Sequence, residues 1–192
     1  SKRHATQILV LGRLSRFIKT HCISMKHIEP DWNIDQFKQL NYTLASHNDP
    51  LVVNEYLWSG HNKSKMTIYK YHEPNPMPES MEYIRKQFSF WSDVCVAVNH
   101  FKPGQYLPMH KDLYGRYARM TGAYPAFIMR CMVMLEDSSP GQILQIRDEC
   151  YGKWSAGDCF YWDHDAPHAF YNMSMVDRYA VQVTGVCNAY PM

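Results

Sequence analysis

The chain has no apolar run long enough for a membrane-spanning helix. Such a helix needs about 20 residues, and "ILVLGRLSRFI" at 8–18 is shorter and broken by Arg13 and Arg16. A soluble protein without a membrane partner is expected. Charge of one sign is also lacking: 20 Lys and Arg against 18 Asp and Glu leave a net charge of +2. The basic residues form no stripe of the kind that neutralises phosphates, so nucleic acid is not an expected partner. The cysteines (Cys22, Cys95, Cys131, Cys150, Cys159 and Cys187) contain no CxxC pair. Most sit in strand-like runs, where a free cysteine behaves as a small apolar residue. Reduced thiols and a cytoplasmic setting are expected. No internal repeat or low-complexity segment suggests an array or a linker.

What is present is the composition of one globular domain: 192 residues, 46% apolar and 14% aromatic, enough for a proper core over 1–192. Residues 1–92 read as helical and extended support. Between Pro30 and His47 the residues Ile34, Phe37, Leu40 and Leu44 fall at helical spacing behind an Asp31 or Asn33 cap, which predicts a surface helix. A second helix is predicted after Pro78, with Met81, Ile84 and Phe88 on one face. From 93 to 187 the pattern changes to short β-rich runs divided by "KPGQ", "SSPGQ" and "WSAGD". Such spacing predicts an antiparallel sandwich or barrel. The fold class expected is mainly β with flanking helices, a double-stranded β-helix or jelly roll.

One constellation in that half carries chemistry. In a strand, residues i and i+2 project to the same side, so His110 and Asp112 of "PMHKDLY" can reach one ion while Lys111 points away. Two imidazoles and a carboxylate on one face of a metal leave positions open for oxygen and a co-substrate. A second His-x-Asp, His47-Asn48-Asp49, precedes a proline and reads as loop. For the third ligand His168, which begins "HAFYN", is favoured over His164, which lies in the polar turn "DHDAP". Arg178, Ala180, Gln182 and Thr184 share one face of a late strand. A buried guanidinium there needs an anionic partner, since an unpaired buried charge is costly. An internal salt bridge to Asp163, Asp165 or Asp177 and a bound dicarboxylate are both open. Arg130, alone in the apolar run "AFIMRCMVML", raises the same question.

"HKD", 55 residues, His168 and then Arg178 ten positions later resemble the iron(II)/2-oxoglutarate-dependent dioxygenases over roughly 93–187. Within that superfamily "YGKWSAGDCFYWDHDAPHAFYNMSMVDRYAVQVTG" is most similar to the aspartyl/asparaginyl β-hydroxylase group. The chain keeps Asp112, where several members of that group lack the acidic residue. It has Ala180 where other branches carry a serine two residues after the arginine. The resemblance implies Fe(II) held by His110, Asp112 and His168. It further implies 2-oxoglutarate with its distal carboxylate on Arg178, and Arg130, or less well Arg119, as a second co-substrate contact. The implied reaction consumes oxygen, releases succinate and CO2, and hydroxylates a C–H of a peptidyl side chain or small molecule. Asp112 argues against halogenation, and the lack of an arginine shortly after Arg178 against demethylation of nucleic-acid bases. The alternatives are a cupin-like module that binds metal or a small acid without turnover, and a structural jelly roll with His110 and His168 as core histidines. Tyr106, Tyr161 and Trp162 read as core, and nothing specifies an oligomeric state.

Overall fold

The computed structural model describes residues 27–46, 65–70 and 76–187. The stretch at 8–18, Cys22 and His47-Asn48-Asp49 lie outside them.

Two antiparallel sheets form the fold. In chain order the elements are α1 (Ile34–Lys38), β1 (Thr43–Ser46), β2 (Lys65–Lys70), α2 (Glu79–Lys86), β3 (Trp91–Phe101) and β4 (Tyr106–His110), followed by α3 (Gly115–Thr121) and β5 (Ile128–Met134). They end with β6 (Gln142–Ile146), β7 (Glu149–Tyr151), β8 (Cys159–Asp163), β9 (His168–Asn172) and β10 (Arg178–Cys187). The larger sheet runs β1-β2-β3-β10-β5-β8 and the smaller β4-β9-β6-β7. From β3 onward, successive strands alternate between the two sheets, with the β6–β7 hairpin the one exception, which is the winding of a double-stranded β-helix. The expected jelly roll is therefore present, extended at one edge of the larger sheet by β1 and β2.

Alternation of side chains across β10 divides the core in two. Tyr179, Val181 and Val183 face outward and pack with Phe37, Met81, Ile84, Phe88 and Trp91 under α1 and α2. Ala180 faces inward with Phe101, Met132, Met134, Trp154, Trp162 and Phe170. Because Thr184 pairs with Arg130 and Arg130 with Trp162, these three form one inward row across β10, β5 and β8.

The second predicted helix is found with Met81, Ile84 and Phe88 fully buried, and Pro78 stands at its N-cap. The first is shorter than the spacing suggested. Asn33 caps it by accepting from the Asp35 amide at 2.9 Å, but it stops at Lys38. The Tyr42 hydroxyl folds back to donate to the Phe37 carbonyl at 2.8 Å. Thr43 and Leu44 then pair with Ile68 and Thr67 in β1–β2, so backbone pairing at a sheet edge overrides the helical spacing of Leu44. The expectation of reduced thiols fails at Cys187, which is disulfide-bonded, while Cys95, Cys131, Cys150 and Cys159 are not in disulfides. Among the described residues no helix is long and apolar enough to cross a membrane.

The turn "WSAGD" ties the N-terminal layer to the barrel. Gly157 has φ +93, and a Cβ there would lie 2.1 Å from the Ile28 carbonyl oxygen. Neither the conformation nor the space admits a side chain. Gly157→Ala is expected to cost about 2–4 kcal/mol, read in a thermal melt as a fall of roughly 5–10 °C in Tm.

Candidate metal centre

His110 ends β4 and His168 begins β9, and the two are register partners. Their rings therefore meet at one end of the barrel, with centroids 4.3 Å apart. Asp112 lies two residues beyond the end of β4 rather than within it, yet its carboxylate joins them. Oδ1 is 4.0 Å from His110 Nε2 and Oδ2 is 3.3 Å from His168 Nε2. One ligand atom from each of the three residues falls within 4.8 Å of the others. His110 and Asp112 meet as expected, but not by strand alternation, since a loop beyond the end of β4 delivers the aspartate.

The imidazoles are oriented for ligation. His110 Nδ1 is 2.8 Å from the Pro108 carbonyl and His168 Nδ1 is 3.0 Å from the Ala166 carbonyl. A carbonyl only accepts, so each Nδ1 carries the proton and donates it. With Nδ1 so committed, Nε2 of each ring faces Asp112 and is the atom that would take an ion, the arrangement that fixes metal-binding histidines. Burial alone would raise the Asp112 carboxyl, but the Arg130 guanidinium and the two histidines hold it well below the ordinary range. It is a carboxylate at neutral pH. The donor set of two imidazole nitrogens and one carboxylate suits a divalent transition metal such as Fe(II).

Arg130 does not stand apart from this cluster. Its Nη1 donates to Asp112 Oδ2, its Nε donates to Thr184 Oγ1 at 3.2 Å, and its guanidinium lies 4.7 Å over the Tyr114 ring. The Tyr114 hydroxyl donates to the same Oδ2 at 3.2 Å. Monodentate ligation needs one carboxylate oxygen, so Arg130 and Tyr114 can orient Asp112 while it holds an ion. Tyr114 was invisible to sequence reasoning because it takes φ +49, breaking the chain's periodicity where it folds back. Tyr114→Phe is expected to weaken Co(II) binding about tenfold, measured by titration of the metal-free protein.

Arg178 is 3% exposed, and its surroundings are unusual for a charge. No salt bridge joins it to a carboxylate among the described residues. Asp177 pairs with His100 at 2.8 Å, Asp163 with Arg147 at 3.0 Å and Asp165 with Lys111 at 2.8 Å, so the three aspartates offered by sequence are taken elsewhere. The guanidinium instead lies 4.6, 5.1 and 5.9 Å from the rings of Trp154, Phe170 and Phe101. Nη1 donates to the Ile143 carbonyl at 3.3 Å and Nη2 points to Met134 Sδ at 3.5 Å, while buried Nε has no hydrogen-bond partner. Burial pulls its pKa down to about 9.

The other sequence candidates separate cleanly. Arg119 is exposed on α3, so of the two arginines weighed as a second contact only Arg130 lies in the barrel. His164 occupies the turn between β8 and β9 and is no part of the metal-competent cluster. Trp162 is core, as expected, but its ring also lies 4.7 Å from that of His168, so it forms a wall of the site.

No family model matches the chain, and no curated protein matches it. Among solved structures it is similar to a predicted oxalate decarboxylase from Thermotoga maritima, with a TM-score of 0.44 at 10% identity over 78% of this chain and 95% of that one. It is also similar to KdgF from Halomonas sp., with a TM-score of 0.39 at 11% identity over 65% and 81% of the two chains. A cupin protein from Bacteroides fragilis gives 0.37 at 14% identity over 52% and 70%. The chain itself is a double-stranded β-helix with a His-Asp-His cluster, competent to hold a metal, at one end of the barrel.

Proposed function

We propose that the protein is an iron(II)- and 2-oxoglutarate-dependent dioxygenase that hydroxylates an unactivated C–H. The observation that carries this reading is Arg178: a buried guanidinium without a carboxylate, inside the same barrel as a cluster suited to Fe(II). When bound, Fe(II) and 2-oxoglutarate supply the oxidising chemistry, with oxygen as the other substrate and succinate and CO2 as products. The chain's own residues do the rest. His110, Asp112 and His168 would hold the ion through Nε2, a carboxylate oxygen and Nε2. Arg178 would take the distal carboxylate of the co-substrate in a charge-assisted pair.

Spacing along β9 supports the pairing. Phe170 lies two residues beyond His168, and Ile143, whose carbonyl Arg178 meets, pairs with Tyr171. At about 3.3 Å per residue the guanidinium lies on the order of 7–10 Å along the barrel from the His168 layer, a span that a five-carbon diacid matches. Arg130, held on Asp112, would meet the co-substrate at its metal end. The aromatic rings around Arg178 exclude water and would strengthen an ion pair formed there. A cytoplasmic setting, where Fe(II) stays reduced, is part of the proposal; the four cysteines outside disulfides fit it and the disulfide at Cys187 does not.

The aromatic cage also favours a second reading. Three rings around one guanidinium can stabilise it by cation–π attraction alone, giving a cupin-like metal-binding protein without turnover. Succinate formation separates the two. Both readings allow saturable binding of 2-oxoglutarate to the metal-loaded protein, which Arg178→Met should remove, but only the dioxygenase reading predicts succinate release in air.

A further inference from the structure

The segment that follows Asp112 gathers large apolar side chains and basic ones at the surface. Leu113, Met120 and Tyr124 are 71%, 75% and 69% exposed, although large apolar side chains gathered in one segment usually mark a contact surface. Between them α3 carries Arg116 and Arg119, both exposed and without an ion pair among the described residues. Residues 116, 119 and 120 share one helical face. From Leu113 to Leu135 the sequence contains no Asp or Glu. Tyr117, on the same helix, is tied to β3 by donating to the backbone carbonyl of Asp93 at 2.9 Å.

This basic and apolar face is fixed to the metal centre at both ends. Tyr114 precedes α3 and donates to Asp112, and Arg130, beyond Tyr124, bonds the same carboxylate. Whatever docks on α3 therefore lies beside the end of the barrel where the proposed chemistry occurs.

We propose that residues 113–124 form the docking surface for the substrate, and that the substrate is an acidic peptide segment bearing apolar side chains. Glutamates or aspartates would pair with Arg116 and Arg119, while leucine-like side chains cover Leu113, Met120 and Tyr124. Charge complementarity selects this occupant. A free small acid would leave the apolar residues uncovered. Anchoring to an anionic membrane takes a cluster of about four to eight basic residues, and this face has two.

The proposal rests on the dioxygenase reading for the word substrate, but its test does not. A short labelled peptide alternating Glu and Leu is titrated by fluorescence anisotropy against the metal-free full-length protein. A Lys/Leu peptide, a single-stranded oligonucleotide and phosphatidylserine vesicles are run in parallel. Saturable binding of the acidic peptide is expected, at least about tenfold tighter than that of the Lys/Leu peptide and weakened by salt. The double charge reversal Arg116→Glu, Arg119→Glu, with its fold confirmed by circular dichroism, should weaken it at least about tenfold, and Met120→Glu should weaken it independently. Equal binding of both peptides, unchanged binding by the double variant, or tighter binding of the oligonucleotide or vesicles would overturn the proposal. Such a result leaves the metal and co-substrate measurements untouched, so the two readings fail separately.

Discussion

His168→Ala abolishes metal binding, and His164→Ala leaves it intact: this is the expected result of titrating both variants with Co(II) beside the wild type. His168 contributes Nε2 3.3 Å from Asp112 Oδ2, with its tautomer set by the Ala166 carbonyl. Losing it leaves one imidazole and one carboxylate, two ligands where three hold the ion. A loss of at least a thousandfold in affinity is expected, about 4 kcal/mol. His110→Ala should behave alike. His164 lies only four residues away in sequence but outside the cluster, so its removal tests the assignment and not merely the presence of histidine. Retention of metal by His168→Ala with loss in His164→Ala would reverse the assignment.

Arg178→Met is expected to separate stability from function. In the wild type without ligand, a charged guanidinium is buried against aromatic rings and no carboxylate. Methionine fills similar space and packs well on such rings, and replacing buried ionic groups by apolar ones often stabilises by about 1–4 kcal/mol. The ligand-free variant should therefore melt roughly 5–10 °C above wild type, while its binding of 2-oxoglutarate is lost. The sign of the pH dependence follows from the lowered pKa. Arg178 titrates at about 9 in the folded protein, well below the ordinary range of a guanidinium. Between that value and the ordinary range the unfolded chain binds the proton and the folded protein does not, so stability rises with pH there. The penalty is fully present below about pH 9, and the advantage of Arg178→Met should shrink as pH rises above it. A ligand-free variant less stable than wild type would show that the aromatic cage outweighs desolvation.

Much of this was legible in the chain because strand alternation is a local property. Arg178, Ala180 and Thr184 on one face, with Tyr179, Val181 and Val183 on the other, follow from period two alone, and the structure places them inside and outside the barrel accordingly. Turn chemistry marked the long strands of the jelly roll. It missed β7, whose three residues follow the two-residue turn Arg147-Asp148. Here Arg147 adopts φ +55 without being glycine, so the usual signal was missing. It also missed α3, which buries no residue and so has no apolar stripe to read. Leu44 misled in the opposite direction, since helical spacing continued into a segment that pairs with β2.

The His-Asp-His cluster was legible as residue types and order, but its surroundings were not. Sequence treated Arg130 as a second ligand contact in an apolar run. The structure turns it onto Asp112, with Tyr114 stacked beneath it and Thr184 beside it. Those contacts join residues from β5, β10 and the loop after β4, and no spacing along one strand encodes them. The same holds for Arg178, whose three candidate aspartates are near in sequence but pair with His100, Arg147 and Lys111.

The dioxygenase reading stands or falls on turnover. Protein loaded with Fe(II) is incubated with 2-oxoglutarate and ascorbate in air, and succinate is quantified over time for wild type, His168→Ala and Arg178→Met, with and without a panel of acidic peptides. The account predicts succinate and CO2 in equal amounts from the wild type, stimulation by peptides that dock on α3, and none above background from either variant. Metal-loaded wild type that binds 2-oxoglutarate yet yields no succinate with any peptide, or variants that yield as much as wild type, would contradict it.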